Sequence, residues 1–117
     1  MPELVPAPTR IPVPGGKIID EYVGRVTTGT SAVSVAHMIA PAGWSEPPQT
    51  PEFDEVTVVL AGTVLVAHAE GVLEVGAGQA VLTRAGERIQ YSTGDDGAQY
   101  VAVCLPAFTP EAAHRED

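Results

Sequence analysis

The sequence predicts an all-β domain, a barrel or sandwich of short strands, and three observations carry that prediction. From Lys17 onward, runs rich in Val, Ile, Thr and Tyr are cut by glycine and proline at regular spacing. No window of eleven or more residues keeps apolar side chains at helical spacing. Hydrophobic residues make up 44% of the 117, which supports one packed core but not two.

The elements follow in chain order. "MPELVPAPTRIPVPGG" carries five prolines, so residues 1–16 are expected to form an extended arm or the lead-in to an edge strand. Strands are expected at roughly 17–23, 32–39, 54–61, 63–68, 72–75, 79–83, 88–92 and 98–105. The breaks fall at Gly29, Pro41 to Gly43, Gly62, Gly71, Gly76 to Gly78, Gly86 and Gly94 to Gly97. The barrel is thus expected over 17–108. A tail over 109–117 has room for one helical turn, and the prolines flanking Phe108 suggest a stiff segment that docks back on the barrel.

Two glycine-framed segments carry a family likeness. In "GWSEPPQTPEFDEVTVVLAG" the spacing runs from Gly43 to Gln49, Pro51, Glu55 and Gly62. The second starts at Gly78 and runs through Arg84, Gly86 and Ile89 to Thr93. Together with the strand rhythm, these frames resemble the two motifs of the cupins over about residues 30–105. The resemblance implies a jelly-roll barrel, or double-stranded β-helix of the RmlC-like kind. In the cupin pattern Gln49, Pro51 and Ile89 occupy histidine places, and only Glu55 of the four usual metal-binding positions is kept. The resemblance therefore implies a cupin without the tightly bound transition metal of a three-histidine cage. If a divalent ion binds, its ligands are expected to be Glu55, Gln49 and His37, and two hard oxygens with one imidazole are a weak set for it.

Strand alternation places further candidates. Glu55, Thr57 and Val59 share a face, as do Ile89, Tyr91 and Thr93, and as do Tyr100 and Cys104. "AVSVAHMIA" offers two faces, Val33, Val35, His37 and Ile39 or Ser34, Ala36 and Met38. The bulkier one is taken as inward, so His37 is expected near the mouth. Glu55, His37 and Tyr91 are the candidate catalytic residues. Gln49, Trp44, Glu52, Ile89, Tyr100 and Cys104 are the candidate substrate contacts. Trp44 and Phe53 either line the mouth or pack in the core, Cys104 is as readily an inert core thiol, and His68 sits at a solvated turn. An inward Glu55 walled by Ile89 should have a raised pKa and be able to exchange protons.

Six basic against fifteen acidic residues give a formal charge of −9, which argues against nucleic acid and anionic membranes as partners. The single cysteine excludes an internal disulfide and fits a reducing cytoplasm. The function expected from these features is acid–base chemistry on a small organic substrate, of isomerase, lyase or cyclase type, with no cofactor. The alternatives are a metal-dependent enzyme and a non-catalytic ligand-binding domain. A homodimer is expected, because the resemblance implies pairing through an outer sheet face.

Overall fold

The computed structural model describes residues 1–116, and nearly all of its regular structure is antiparallel sheet. Seven strands precede one helical turn: β1 (Thr9–Ile11), β2 (Ile18–Val23), β3 (Ser34–Ala40), β4 (Asp54–His68), β5 (Gly71–Gly76), β6 (Ala80–Thr83), β7 (Gln90–Leu105) and α1 (Pro110–Ala113). The sheet order is β1-β2-β3-β7-β4-β5, with β6 also paired to β4. The all-β jelly-roll expectation holds.

Two long strands organise the barrel. The first half of β4 pairs with β6 and with the second half of β7, and its second half pairs with β5 and the start of β7. The sequence suggested a break at Gly62 and another at Gly94 to Gly97, yet both strands run through. The ladder turns a corner instead, with register shifts at Val59/Ala61 and Gly62/Val64. The buried positions of β4 pass from Glu55, Thr57 and Val59 to Val64 and Val66, a change of parity that the bulge supplies. Glycine is required at that corner. Gly62 has φ +75°, and a Cβ there would lie 2.1 Å from the Gly97 carbonyl oxygen. Gly97, at φ +66°, would place one 2.5 Å from the Ala40 carbonyl oxygen.

The main core fills the inside of the bent sheet with Trp44, Val59, Val64, Val66, Val81, Ile89 and their neighbours. Each fully buried valine or isoleucine contributes about 1.5–3 kcal/mol relative to exposure. A smaller cluster joins Phe53, Cys104 and Ala113, with Phe108 edge-on to Phe53 at 5.7 Å between centroids. Phe53 is therefore a core residue and not part of the mouth. The tail docks through this cluster. Thr109 caps α1 by accepting from the Ala112 amide at 3.0 Å, and Pro110 opens the turn where no amide donor is needed.

Candidate functional site

A cavity of about 170 Å³ lies inside the barrel, walled by β3, β4 and β7 and closed at its outer end by the N-terminal arm and the tail. An outer vestibule of about 280 Å³ adjoins it. Lys17, Glu46 and Arg115 line both spaces and so mark the neck between them.

The floor is Glu55, only 8% exposed. The Tyr91 hydroxyl donates to Glu55 Oε1 at 3.3 Å and also bonds the Thr83 hydroxyl at 3.0 Å. Glu55 Oε2 has no hydrogen-bond partner among the described residues and is left for the cavity. Burial, reinforced by the nearby Glu46 charge, pushes the Glu55 carboxyl up to about 7, while Lys17, the Tyr91 hydroxyl and Arg115 pull the other way. Near neutrality this group gains or loses a proton easily. The Tyr91 and Tyr100 hydroxyls and the Cys104 thiol are all pushed up, first by burial, and stay protonated. Cys104 is a free buried thiol, and burial disfavours its thiolate.

The neck carries the cations. The Lys17 ammonium sits 4.1 Å from the Trp44 ring centroid and 5.4 Å from that of Tyr100. Burial lowers its pKa, and it makes no hydrogen bond or ion pair among the described residues. Arg115 donates from Nε to Gln49 Oε1 at 3.2 Å, and its guanidinium lies 3.2 Å from Glu46 Oε2. The Gln49 backbone is held by reciprocal 2.9 Å bonds to Ile89, and the Arg115 contact orients its carboxamide.

Of the residues the sequence singled out, Glu55, Tyr91, Gln49, Tyr100 and Cys104 meet at the cavity, and Trp44 lines the vestibule. Three others do not. His37 lies on the outer face of β3, opposite Asp20 of β2, because Ser34, Ala36 and Met38 are the cavity-facing set. Small side chains point inward there to leave space, and the bulky set points out. Glu52 is exposed and bonds His114, and it lines neither the cavity nor the vestibule. Ile89 is 2% exposed and packs into the main core instead of lining the cavity. His68 stays at its turn, where Nδ1 accepts from the Glu70 amide at 3.3 Å. Lys17 and Glu46 were missed as site residues. Nothing in their local sequence separates them from solvated charges.

The donor set does not fit a metal. No group of three or more His, Cys, Asp or Glu side chains among the described residues is placed to hold one. Besides Glu55, the other motif oxygen, on Gln49, already accepts from Arg115, and two cations stand at the neck. With His37 on the outside, the set Glu55, Gln49 and His37 cannot assemble. No helix among the described residues is long and apolar enough to cross a membrane.

No family model matches the chain. Over 108 residues it is 50% identical to a protein of Myxococcus xanthus named endoribonuclease YbeY, covering 91% of this chain and 36% of that one. The chain thus spans about a third of the length of the curated relative it matches. That relative overturns two expectations. A reading as a small-molecule isomerase, lyase or cyclase, with its ligand-binding alternative, does not agree with a relative, 50% identical over 108 residues, that is named an endoribonuclease. The exclusion of nucleic acid as a partner falls for the same reason: net charge is an average and does not describe a local site.

Among solved structures, a variant of Streptomyces PAC13 with uridine matches at TM-score 0.76 and 17% identity, over 97% of this chain and 88% of that one. KdgF from Halomonas sp. matches at 0.74 and 12%, over 88% and 90%. Oxalate decarboxylase from Bacillus subtilis matches at 0.75 and 16%, over 92% of this chain and 30% of that one. These likenesses agree with the strand order, and the chain has the cupin fold.

Proposed function

We propose that this chain serves RNA processing, as a cupin domain that takes one nucleotide of a single RNA strand into its barrel. The observation that carries this reading is the 50% identity to a protein named as an endoribonuclease. The geometry supports it in three ways. The inner chamber, at about 170 Å³, is well below the ~300–1,000 Å³ of pockets that enclose whole drug-sized ligands, and suits one ring. Its polar groups without a partner among the described residues, Glu55 Oε2 and the Tyr100 hydroxyl, are the kind that read the edge of a base. A barrel of the same fold, that of the PAC13 variant, is described with uridine.

The charge of −9 remains a physical constraint. It opposes a long phosphate-tracking groove and leaves a local insertion as the favourable mode. The same geometry separates recognition from cleavage. A scissile phosphate would have to pass the neck into a ring-sized chamber to meet Glu55, and the strand on both sides of it would have to follow. The domain is therefore assigned recognition. The cut, with any divalent metal it uses, is assigned to residues outside this domain. An RNA-processing role and the free thiol of Cys104 both fit a cytoplasmic setting.

Fluorescence anisotropy of a short labelled RNA at low salt tests the reading. Single-stranded RNA should bind and the same sequence in a duplex should not, because its bases are stacked away. Absence of single-strand binding, or equal binding of the duplex, would overturn it.

A homodimer is part of the same proposal. On the outer sheet face Val35, Val103, Val56 and Leu82 stand in one registered row, and Val101 and Val58 stand in the next. Leu60, at 52% exposed, extends the same apolar face.

A further inference from the structure

We propose that Lys17 and Arg115 form a seat for one phosphodiester group of the RNA strand, at the neck between chamber and vestibule. This inference rests on the RNA reading and names which part of the nucleotide each space takes. The base occupies the inner chamber, the sugar passes through the neck, and the phosphodiester meets the two cations on the vestibule side.

Lys17 carries the argument furthest. Its ammonium is partly withdrawn from water, yet no carboxylate lies within ion-pairing distance among the described residues. Withdrawing a cation without a counter-charge is unfavourable, and the faces of Trp44 and Tyr100 offset only part of that cost. A group in this condition is prepared for an anion. Arg115 is prepared differently. Its Nε is tied to Gln49 and its guanidinium to Glu46, which fixes the plane and leaves the other terminal nitrogen uncommitted among the described residues.

Charge counting then decides what the seat accepts. Lys17 and Arg115 are opposed by Glu46, so the neck is singly positive while Glu55 is neutral and balanced once Glu55 ionises. The groups facing Glu55 are Glu46, Lys17, Tyr91, Arg115, Tyr100 and Cys104, and of these only Glu46 adds negative charge; Glu21 also lines the cavity, but its carboxylate is bonded to the Thr27 amide and hydroxyl. A bound diester repels an ionised Glu55. Binding should therefore draw a proton onto Glu55 and weaken as pH rises through about 7. A phosphodiester keeps a single charge across that range, so the titration belongs to the protein.

The test is calorimetric titration of the intact chain with a dinucleoside monophosphate and, separately, with the matching nucleoside. The diester should bind about tenfold tighter, as one or two charge-assisted hydrogen bonds provide. Lys17→Met, which keeps the apolar stem, should remove that advantage, and Arg115→Gln should reduce it. For single-stranded RNA, Lys17→Met should also lower the slope of log affinity against log salt by about one. Diester affinity should fall between about pH 6 and about pH 8 in the wild type and stay level in Glu55→Gln. Melting temperature in each variant confirms folding. If RNA binds but Lys17→Met changes neither affinity nor salt slope, the seat is overturned and the RNA reading stands. If neither RNA nor the dinucleotide binds, the RNA reading falls and the seat falls with it.

Discussion

Replacing Glu55 by glutamine should make the protein more stable, and only above a defined pH. In the fold the carboxyl titrates at about 7 in place of its ordinary 4.5, chiefly because burial disfavours its charge. Below 4.5 the group is neutral whether the chain is folded or unfolded, and it has no effect. Between the two values the folded state holds a proton that the unfolded state has lost, so stability falls as pH rises. Above about 7 the full cost is present: a shift from 4.5 to about 7, at about 1.4 kcal/mol per unit, amounts to about 3 kcal/mol. Glutamine retains an oxygen that can accept from the Tyr91 hydroxyl and carries no charge. Urea unfolding of wild type and Glu55→Gln, followed by the fluorescence of the single tryptophan, Trp44, supplies the measurement. Taking the difference between the two proteins at each pH cancels the titrating groups that do not interact with Glu55. That difference should be near zero at about pH 4.5 and rise to about 3 kcal/mol in favour of the variant by about pH 8. A difference that does not change with pH would refute the burial argument.

Other perturbations test other parts. Gly62→Ala would drive a Cβ to 2.1 Å from the Gly97 carbonyl oxygen at a positive φ, and should cost on the order of 3 kcal/mol or prevent folding, read as a lowered urea midpoint. Adding Mn²⁺, Zn²⁺ or Mg²⁺ to protein treated with chelator should leave the melting temperature in place; a rise abolished by Glu55→Gln would show that the cavity holds a metal after all. Leu60→Glu, on the outer face, should convert dimers to monomers in sedimentation equilibrium without lowering stability. A wild-type monomer would remove the proposed pairing.

The sequence made the barrel legible because two glycine frames and the strand rhythm agreed, and Glu55 was aimed correctly by its place in the first frame. The strand alternation failed at His37 for a physical reason. Bulky residues mark the inward face of a strand packed on a core, but β3 borders an open cavity, and there the small residues Ser34 and Ala36 face in. Gly62 and the Gly94 to Gly97 segment looked like strand ends because glycine with positive φ usually closes a hairpin. Here β4 and β7 bend together and the ladder passes through the corner. Ile89 was read as a cavity residue from its motif place, but it is directed into the main core. Lys17 precedes the first motif and Arg115 follows the second by a wide interval, so only the docking of two distant segments brings them to one neck. Net charge could not reveal such a pair within an acidic chain.

The outer end of the cavity is bounded by Ile11, Pro12 and Val13 on one side and by Phe108, Pro110 and Arg115 on the other. Neither flank is woven deeply into the sheet. β1 is fastened to β2 by three residue pairs, whereas the tail is tied by backbone bonds from Glu52 to Ala112 and from Glu116 to Pro48, by Arg115 on Gln49 and Glu46, and by the Arg88–Glu116 ion pair. An edge strand secured so lightly detaches at far lower free energy than the long strands behind it. Traffic into the barrel can thus proceed by brief release of the arm while β4 and β7 hold their shape. The guest that is admitted, and the speed of its departure, are then set by a handful of peripheral contacts that can be altered without disturbing the frame.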